Sequence, residues 1–288
     1  MSAKSVISTF RYWVLLILFI FFSSFVCFAH TIRLTDGEAV SLPALIQDLQ
    51  KVRVIFIGEK HDNLHHHKAQ LQIIKELHSQ DILLAIGLEM FRSDSQAALD
   101  EWISGTMSYH DFLAVYHDNW SFWDRYADIY LHAREKKIPL IGLNISRDIT
   151  RLVALKGFAA LSDEQLEKLP VVQCKVDKPY MDFIRRALGG HDMQGNQFRN
   201  FCEAQMLWDK IMAKNLNEYL VNNPETTVVV LAGSGHSWKY GIPTQLKEIS
   251  DIPFRVLLPE IPGRLVEEGA SVKDADYLML GVDEAPLH

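Results

Sequence analysis

Four short apolar runs set the limits on what this chain can fold into. They lie at residues 52–57, 82–90, 138–144 and 226–232 and are rich in Val, Ile and Leu. Each is too short for a helix of ordinary length, and each is apolar at successive positions rather than alternate ones. Strands with that pattern are buried on both faces, as in a parallel sheet between two layers of helices. The intervening segments show helical spacing, as at Leu71, Ile74 and Leu77. A fifth strand is expected at 254–258, and a weaker one at 277–280. Strand and helix in alternation define an α/β fold, a mainly parallel sheet flanked by helices.

The runs end in chemically capable residues. The first, in which Arg53 is the polar break, stops at Gly58 and opens into Glu59-Lys60-His61-Asp62-Asn63. Glu89 closes the second and Asn144 the third, while Gly233-Ser234-Gly235-His236 follows the fourth. Parallel strands present their carboxyl ends on one edge, where α/β sheets bind ligands. Residues far apart in sequence can therefore converge. Clusters of carboxylate and imidazole bind divalent metal, transfer protons as general acids and bases, or hold a neighbouring group in one tautomer. Glu59, His61, Glu89 and His236 are the candidates for a metal set and equally for the catalytic set of a hydrolase. Strand-end carboxylates also serve as helix caps or ion-pair partners, and histidines as structural hydrogen bonders.

Other stretches carry weaker signals. His65, His66 and His67 follow the first motif. On a helix, adjacent residues point about 100° apart, so the three cannot serve one centre. His65 suits a solvated surface, and His66 or His67 a site or cofactor. Trp123, Tyr126 and Tyr130 share one helical face, as core or as the wall for a flat hydrophobic ligand. Residues 157–195 contain Pro170, Pro179, Gly189, Gly190 and Gly195 and are expected to form a helical cap, within an insertion around 157–222.

The N-terminus stands apart. Lys4 and Arg11 precede an apolar run over 12–29 broken by Ser23 and Ser24, with small residues near Ala29. That is the layout of a secretory signal peptide over residues 1–29, leaving one domain over 30–288. The run also approaches the length of an uncleaved membrane anchor. Cys27 raises lipoprotein attachment, although Phe25 and Val26 are bulky where a lipidation motif needs small residues. An exported chain would allow Cys174 and Cys202 to pair, or both to stay as buried thiols. The net charge of −7 and the lack of a basic face argue against nucleic acid as a partner.

The segments 58–63 (GEKHDN), 66–70 (HHKAQ), 87–102 (GLEMFRSDSQAALDEW), 120–147, 204–215 (AQMLWDKIMAKN) and 233–243 (GSGHSWKYGIP) occur in an order that resembles the ChaN-like haem-binding uptake family. That family is a branch of the wider Tiki/TraB-like superfamily. The resemblance implies an α/β fold with a helical cap. It implies an exported protein of the periplasm or cell envelope, often a lipoprotein, that binds haem for iron acquisition, with haem at a homodimer interface. In the wider superfamily the sheet-edge motifs serve metal-dependent or acid/base hydrolysis. Haem iron takes His, Tyr, Met or Cys. His66, His67, His236 and Tyr240, the last beside the His236 loop, are the cofactor-binding candidates by position.

Overall fold

Alternation in parity along the central strands builds two cores at once. In a strand, successive side chains point to opposite faces. Ile55, Ile57, Val229, Leu231 and Leu257 enter one buried cluster, and Val54, Phe56, Val228, Val230, Val256 and Leu258 enter another. The apolar runs are therefore strands covered on both sides, as expected. These observations come from a computed structural model, which describes residues 30–167, 169, 178–188 and 195–282.

The elements run in the order β1 (His30–Arg33), β2 (Ala39–Val40), α1 (Leu42–Leu49), β3 (Val54–Glu59), α2 (Leu64–His78) and β4 (Leu84–Arg92). Then come α3 (Gln96–Ser104), α4 (Tyr109–Asn119), α5 (Trp123–Lys136), β5 (Leu140–Asn144) and α6 (Arg147–Lys156). Two cap helices follow, α7 (Asp163–Glu167) and α8 (Lys178–Ala187), and then the long α9 (Gly195–Asn222). The chain continues through β6 (Thr227–Gly233), the single turn α10 (Ser234–Ser237), α11 (Ile242–Lys247), β7 (Phe254–Pro259) and β8 (Tyr277–Leu280).

The sheet order is β2-β1-β8-β7-β3-β6-β4-β5. From β8 to β5 all pairings are parallel, and β1 joins both β2 and β8 antiparallel. The region 30–50 thus supplies two edge strands as well as a helix. That helix starts with Ser41 accepting from the Ala44 N–H and proline in the first turn. Arg53, the polar break in β3, has a structural task. Its guanidinium donates to the carbonyls of Leu220, Asn223 and Thr226 at the end of α9, where helix carbonyls lack partners.

β3 and β4 are separated in the sheet by β6, so the chain leaves β3, skips a position and later returns to fill it. Glu59 pairs in register with Gly233 at the end of that central pair. Ligand crevices in α/β sheets form at such reversals. The signal segment 1–29, the lipidation candidate Cys27 and Cys174 lie outside the described residues. Cys202 is buried on α9, where loss of solvent pushes its thiol up to about 12. Among the described residues no helix is long and apolar enough to cross a membrane.

Candidate functional site

Parity also decides which way the strand-end carboxylates point. Glu59 continues the Ile55–Ile57 face and meets the layer of α2 and α5. Glu89 lies one residue out of step with Leu88 and Met90, so it meets the layer of α9 and α10. His61, past the end of β3, joins the two.

Glu59 is almost fully buried and surrounded by donors. Its Oε1 accepts from His61 Nδ1 at 2.8 Å and from the Tyr126 hydroxyl. Its Oε2 accepts from Gln70 Nε2 at 2.7 Å and lies 3.4 Å from His67 Nδ1. Burial alone would raise its pKa. The hydrogen bonds and charges of His61 and His67 outweigh that and hold the carboxyl well below its ordinary range. Burial also pushes the Tyr126 hydroxyl upward, as does the Glu59 charge. His67 faces acceptors at both ring nitrogens: the His61 carbonyl at 3.1 Å and the Gln70 side-chain oxygen at 3.3 Å. Gln70 Nε2 is committed to Glu59 and the Ile57 carbonyl, which fixes Oε1 as the atom facing His67. An imidazole between acceptors carries both protons. Burial opposes that charge, yet Glu59 and the His61 carbonyl raise the His67 pKa overall.

The second half mirrors the first. His236 is buried, and its Nδ1 donates to Asp209 Oδ1 at 2.7 Å. Asp209 is buried on α9 and takes the Tyr180 hydroxyl from α8 on its other oxygen at 2.8 Å. Burial pushes Asp209 upward, partly offset by His236 and Tyr180. Burial works against a charge on His236, but Glu89 and Asp209 raise it. Between the halves sits Glu89. Its Oε2 accepts the Gly233 N–H at 2.6 Å, and its Oε1 lies 3.9 Å from His61 Nε2 and 3.7 Å from His236 Nε2. His61 is desolvated, yet Glu89, Glu59 and Asp62 raise its pKa to about 9. Each imidazole is thus oriented through Nδ1 by its own carboxylate and aims Nε2 at a shared one. A methyl at Gly233 would lie 2.9 Å from His61 Nε2, so the close approach there needs glycine.

The structure brings Glu59, His61, Glu89 and His236 together, but not as one metal shell. Among the described residues no group of three or more His, Cys, Asp or Glu side chains is arranged to hold a metal ion. The reason is visible at Glu59, whose lone pairs are taken by Tyr126, Gln70 and two histidines. Asn144 donates to the Glu89 carbonyl at 2.7 Å and so braces the strand end. His66 is buried, and its Nδ1 accepts the Lys60 N–H at 2.9 Å. Tyr240 stacks on Phe183 from α8 with ring centroids 5.6 Å apart. Sequence reasoning missed Gln70, Tyr126, Asp209 and Tyr180 as members of the network. Gln70 sits one residue short of Leu71 on an apolar helix face. Asp209 is an isolated carboxylate between Trp208 and Ile211. Such polar residues beside buried positions were the available signal.

Two adjoining cavities open from this edge. One, of about 220 Å³, is lined by His61, His236, Asp209 and Arg264, with Ile184 and Leu188 on the α8 side. The other, of about 470 Å³, lies between α6 and α9, with Glu89 on its wall and Trp120, Phe201, Trp208, Arg147 and Arg151 around it. Phe201 and Gln205 line both.

Fold and site together define a doubly wound α/β protein with a carboxylate–imidazole network at the carboxyl edge of its sheet. Residues 45–246 match the family described as haem-binding uptake, Tiki superfamily, ChaN, and the chain belongs to that family. The fold is that of the Campylobacter jejuni ChaN structure described as showing cofacial haem binding. The match has a TM-score of 0.65 and 23% identity and covers 86% of this chain and 95% of that one. A mutant of the erythromycin esterase EreC in its open conformation aligns with a TM-score of 0.50 and 15% identity, over 80% of this chain and 76% of that one. A Caenorhabditis elegans vesicle-fusing ATPase is 31% identical over 124 residues, which is 40% of this chain and 15% of that protein.

Proposed function

We propose that this chain is an exported haem-binding protein of the cell envelope that serves haem or iron uptake, as one domain over residues 30–288 behind a cleaved signal segment. Membership of the haem-binding uptake family over residues 45–246 carries the reading. The residues present fit the group. The smaller cavity carries His236, and the larger one, which shares Phe201 and Gln205 with it, adds flat aromatic walls in Trp120 and Trp208 and cations in Arg147 and Arg151; together they suit a flat apolar ring with acidic substituents. Haem, when bound, would supply an iron that takes protein side chains such as His as ligands.

Of the four cofactor candidates, His236 is the one that lines either cavity. Its Nδ1 is anchored on Asp209, the arrangement that orients metal-binding imidazoles and raises their basicity. His67 commits both nitrogens within the Glu59 network. His66 holds the turn after β3. Tyr240 packs beneath α8. We therefore assign iron ligation to His236, with Asp209 as its positioning residue. Titrating haem into the full-length chain should give a saturable Soret shift. His236→Ala should alter its position and weaken binding, while Tyr240→Phe leaves both unchanged. A flat titration would sink the haem reading. An unchanged spectrum in His236→Ala would sink the ligand assignment alone. Export predicts that the chain recovered from the cell envelope begins near His30. A homodimer formed on haem predicts a doubled mass by sedimentation only when haem is added.

A second reading has its own support. His61 and His236 aim Nε2 at one Glu89 oxygen, and two such oriented imidazoles can pass a proton to and from a bound ester or amide. A screen of ester and peptide substrates tests it, with Glu89→Gln as control. Equal turnover in both proteins would remove it.

A further inference from the structure

The two imidazoles that face Glu89 are held with unequal security. His61 leans on Glu59, whose oxygens also take the Tyr126 hydroxyl and Gln70 Nε2, with His67 Nδ1 3.4 Å away. Removing one of these donors leaves that carboxylate held by the others. His236 leans on Asp209. Among the described residues the Asp209 carboxylate takes two donors, His236 Nδ1 on Oδ1 at 2.7 Å and the Tyr180 hydroxyl on Oδ2 at 2.8 Å. Asp209 is 1% exposed, so bulk water does not replace either. The last torsion of an aspartate has a broad distribution. A donor on each oxygen fixes the plane of the carboxylate, whereas a single donor leaves it free to turn.

The three groups come from three elements. Asp209 lies on α9, His236 on α10 and Tyr180 on the cap helix α8. Tyr180, Phe183 and Ile184 are all buried, and residues three and four apart share a helix face, so this is the face by which α8 docks. Phe183 packs against Trp238 and Tyr240, with ring centroids 5.4 and 5.6 Å away. Arg186 reaches Asp274 at 3.2 Å. Ile184 and Leu188 wall the smaller cavity, which His236 also lines. Phe183, Ile184 and Arg186 seat the helix, and the Tyr180 hydroxyl carries that seat into the polar network of the site.

We propose that Tyr180 is a positioning residue for His236. Its hydroxyl fixes the plane of the Asp209 carboxylate, and that plane sets the direction in which His236 presents Nε2. Docking of α8 and binding of a ligand at His236 are then coupled. Coupling of this kind is reciprocal: the ligand strengthens the seat of α8 by the factor that α8 adds to the ligand's affinity. That the ligand is haem rests on the reading above; the positioning of the imidazole rests on the hydrogen bonds alone.

The test compares the full-length chain with Tyr180→Phe, which keeps the ring and its packing and removes the hydroxyl. Without haem, nitrogen-15 NMR of histidine-labelled protein reads the His236 Nδ1–H, identified as the resonance absent from His236→Ala. In the wild type it should be a far-downfield proton that exchanges slowly. In Tyr180→Phe it should move upfield and exchange about tenfold faster, in line with loss of one hydrogen bond to a charged group. A role confined to packing would lower the melting temperature and leave this proton where it is. With haem, affinity should fall by about tenfold, the lower end for loss of a group that orients a metal ligand. Haem should also slow amide exchange along α8 in the wild type and not in Tyr180→Phe. In an Asp209→Ala background, Tyr180→Phe should change haem affinity by less than about twofold, because the connection is already cut. An unchanged His236 proton in Tyr180→Phe overturns the proposal whether or not haem binds. So does an equal loss of haem affinity from Tyr180→Phe with and without Asp209. A displaced proton with undiminished haem affinity overturns the coupling. A displaced proton in a chain that binds no haem upholds the positioning and removes the haem reading.

Discussion

Glu59 is where a residue's chemistry and its setting diverge most. A carboxylate released at a strand end reads as a base, yet this one is closed in by Tyr126, Gln70, His61 and His67. Its work is to hold His61 and the first turn of α2. Glu59→Gln would turn an amide N–H towards groups that are themselves donors and leave a buried imidazolium uncompensated. Breaking a buried pair in that way costs about 3–5 kcal/mol, readable as a lower urea midpoint. Tyr126→Phe removes one donor from a carboxylate that keeps others, and should cost about 1–3 kcal/mol. If Glu59→Gln proves no more damaging than Tyr126→Phe, the bracing role is wrong. The strand-end members, Glu59, His61, Glu89, Asn144 and His236, were legible in sequence because a strand's end announces itself. Tyr126 and Asp209 were not, because a helix supplies them sideways and the helix's rotation decides which side chain reaches the edge.

At the scale of elements, two backbone positions show how the edge is kept in place. Gly142 lies in β5 beside the point where the β4–β5 register shifts, between Leu88 and Arg92. A Cβ there would lie 2.4 Å from the Arg92 carbonyl oxygen. Backbone cannot swing away as a side chain can, so Gly142→Ala must push β5 from β4 just beyond Glu89. The expected cost is about 1–3 kcal/mol, together with a weakened site, measured by thermal melting and haem titration. Lys137 gives the opposite case. It closes α5 with φ +54°, is exposed, and donates its N–H to the carbonyls of Ala133 and Arg134. Glycine tolerates that conformation without the Cβ clash, so Lys137→Gly should stabilise by about 0.5–1 kcal/mol. A lower melting temperature would contradict it. The helices and core strands were legible because their periods, 3.6 and 2, are written in apolar residues. β1 and β2 were not. They are four and two residues long with mostly exposed or half-buried side chains, and their place depends on β8, more than two hundred residues away.

For the whole molecule, burial of so many titratable groups at one edge makes stability a function of pH. Imidazoles with raised pKa values bind more protons folded than unfolded. The contribution of His61 is therefore full below its ordinary 6.5 and lost as pH rises through about 9. His67 and His236 are shifted in the same direction. Glu59 is depressed, so its contribution is full above its ordinary 4.5 and lost as pH falls through its lowered folded value. All four contributions coexist between 4.5 and 6.5, on the acid side of neutrality. The urea midpoint should accordingly decline as pH rises from 6.5 towards 9. His61→Asn keeps a polar side chain at the end of β3 but cannot titrate, so its midpoint should decline less steeply over that interval. Parallel slopes in the two proteins would show that His61 does not carry its share. The same linkage ties the fold to its ligand: a group that takes His236 as a ligand needs its Nε2 unprotonated, and the proton that Glu89 and Asp209 stabilise there must leave. Haem affinity should therefore rise with pH over the interval in which the unliganded fold weakens, and the haem-induced gain in melting temperature should be larger near pH 9 than near pH 6.5.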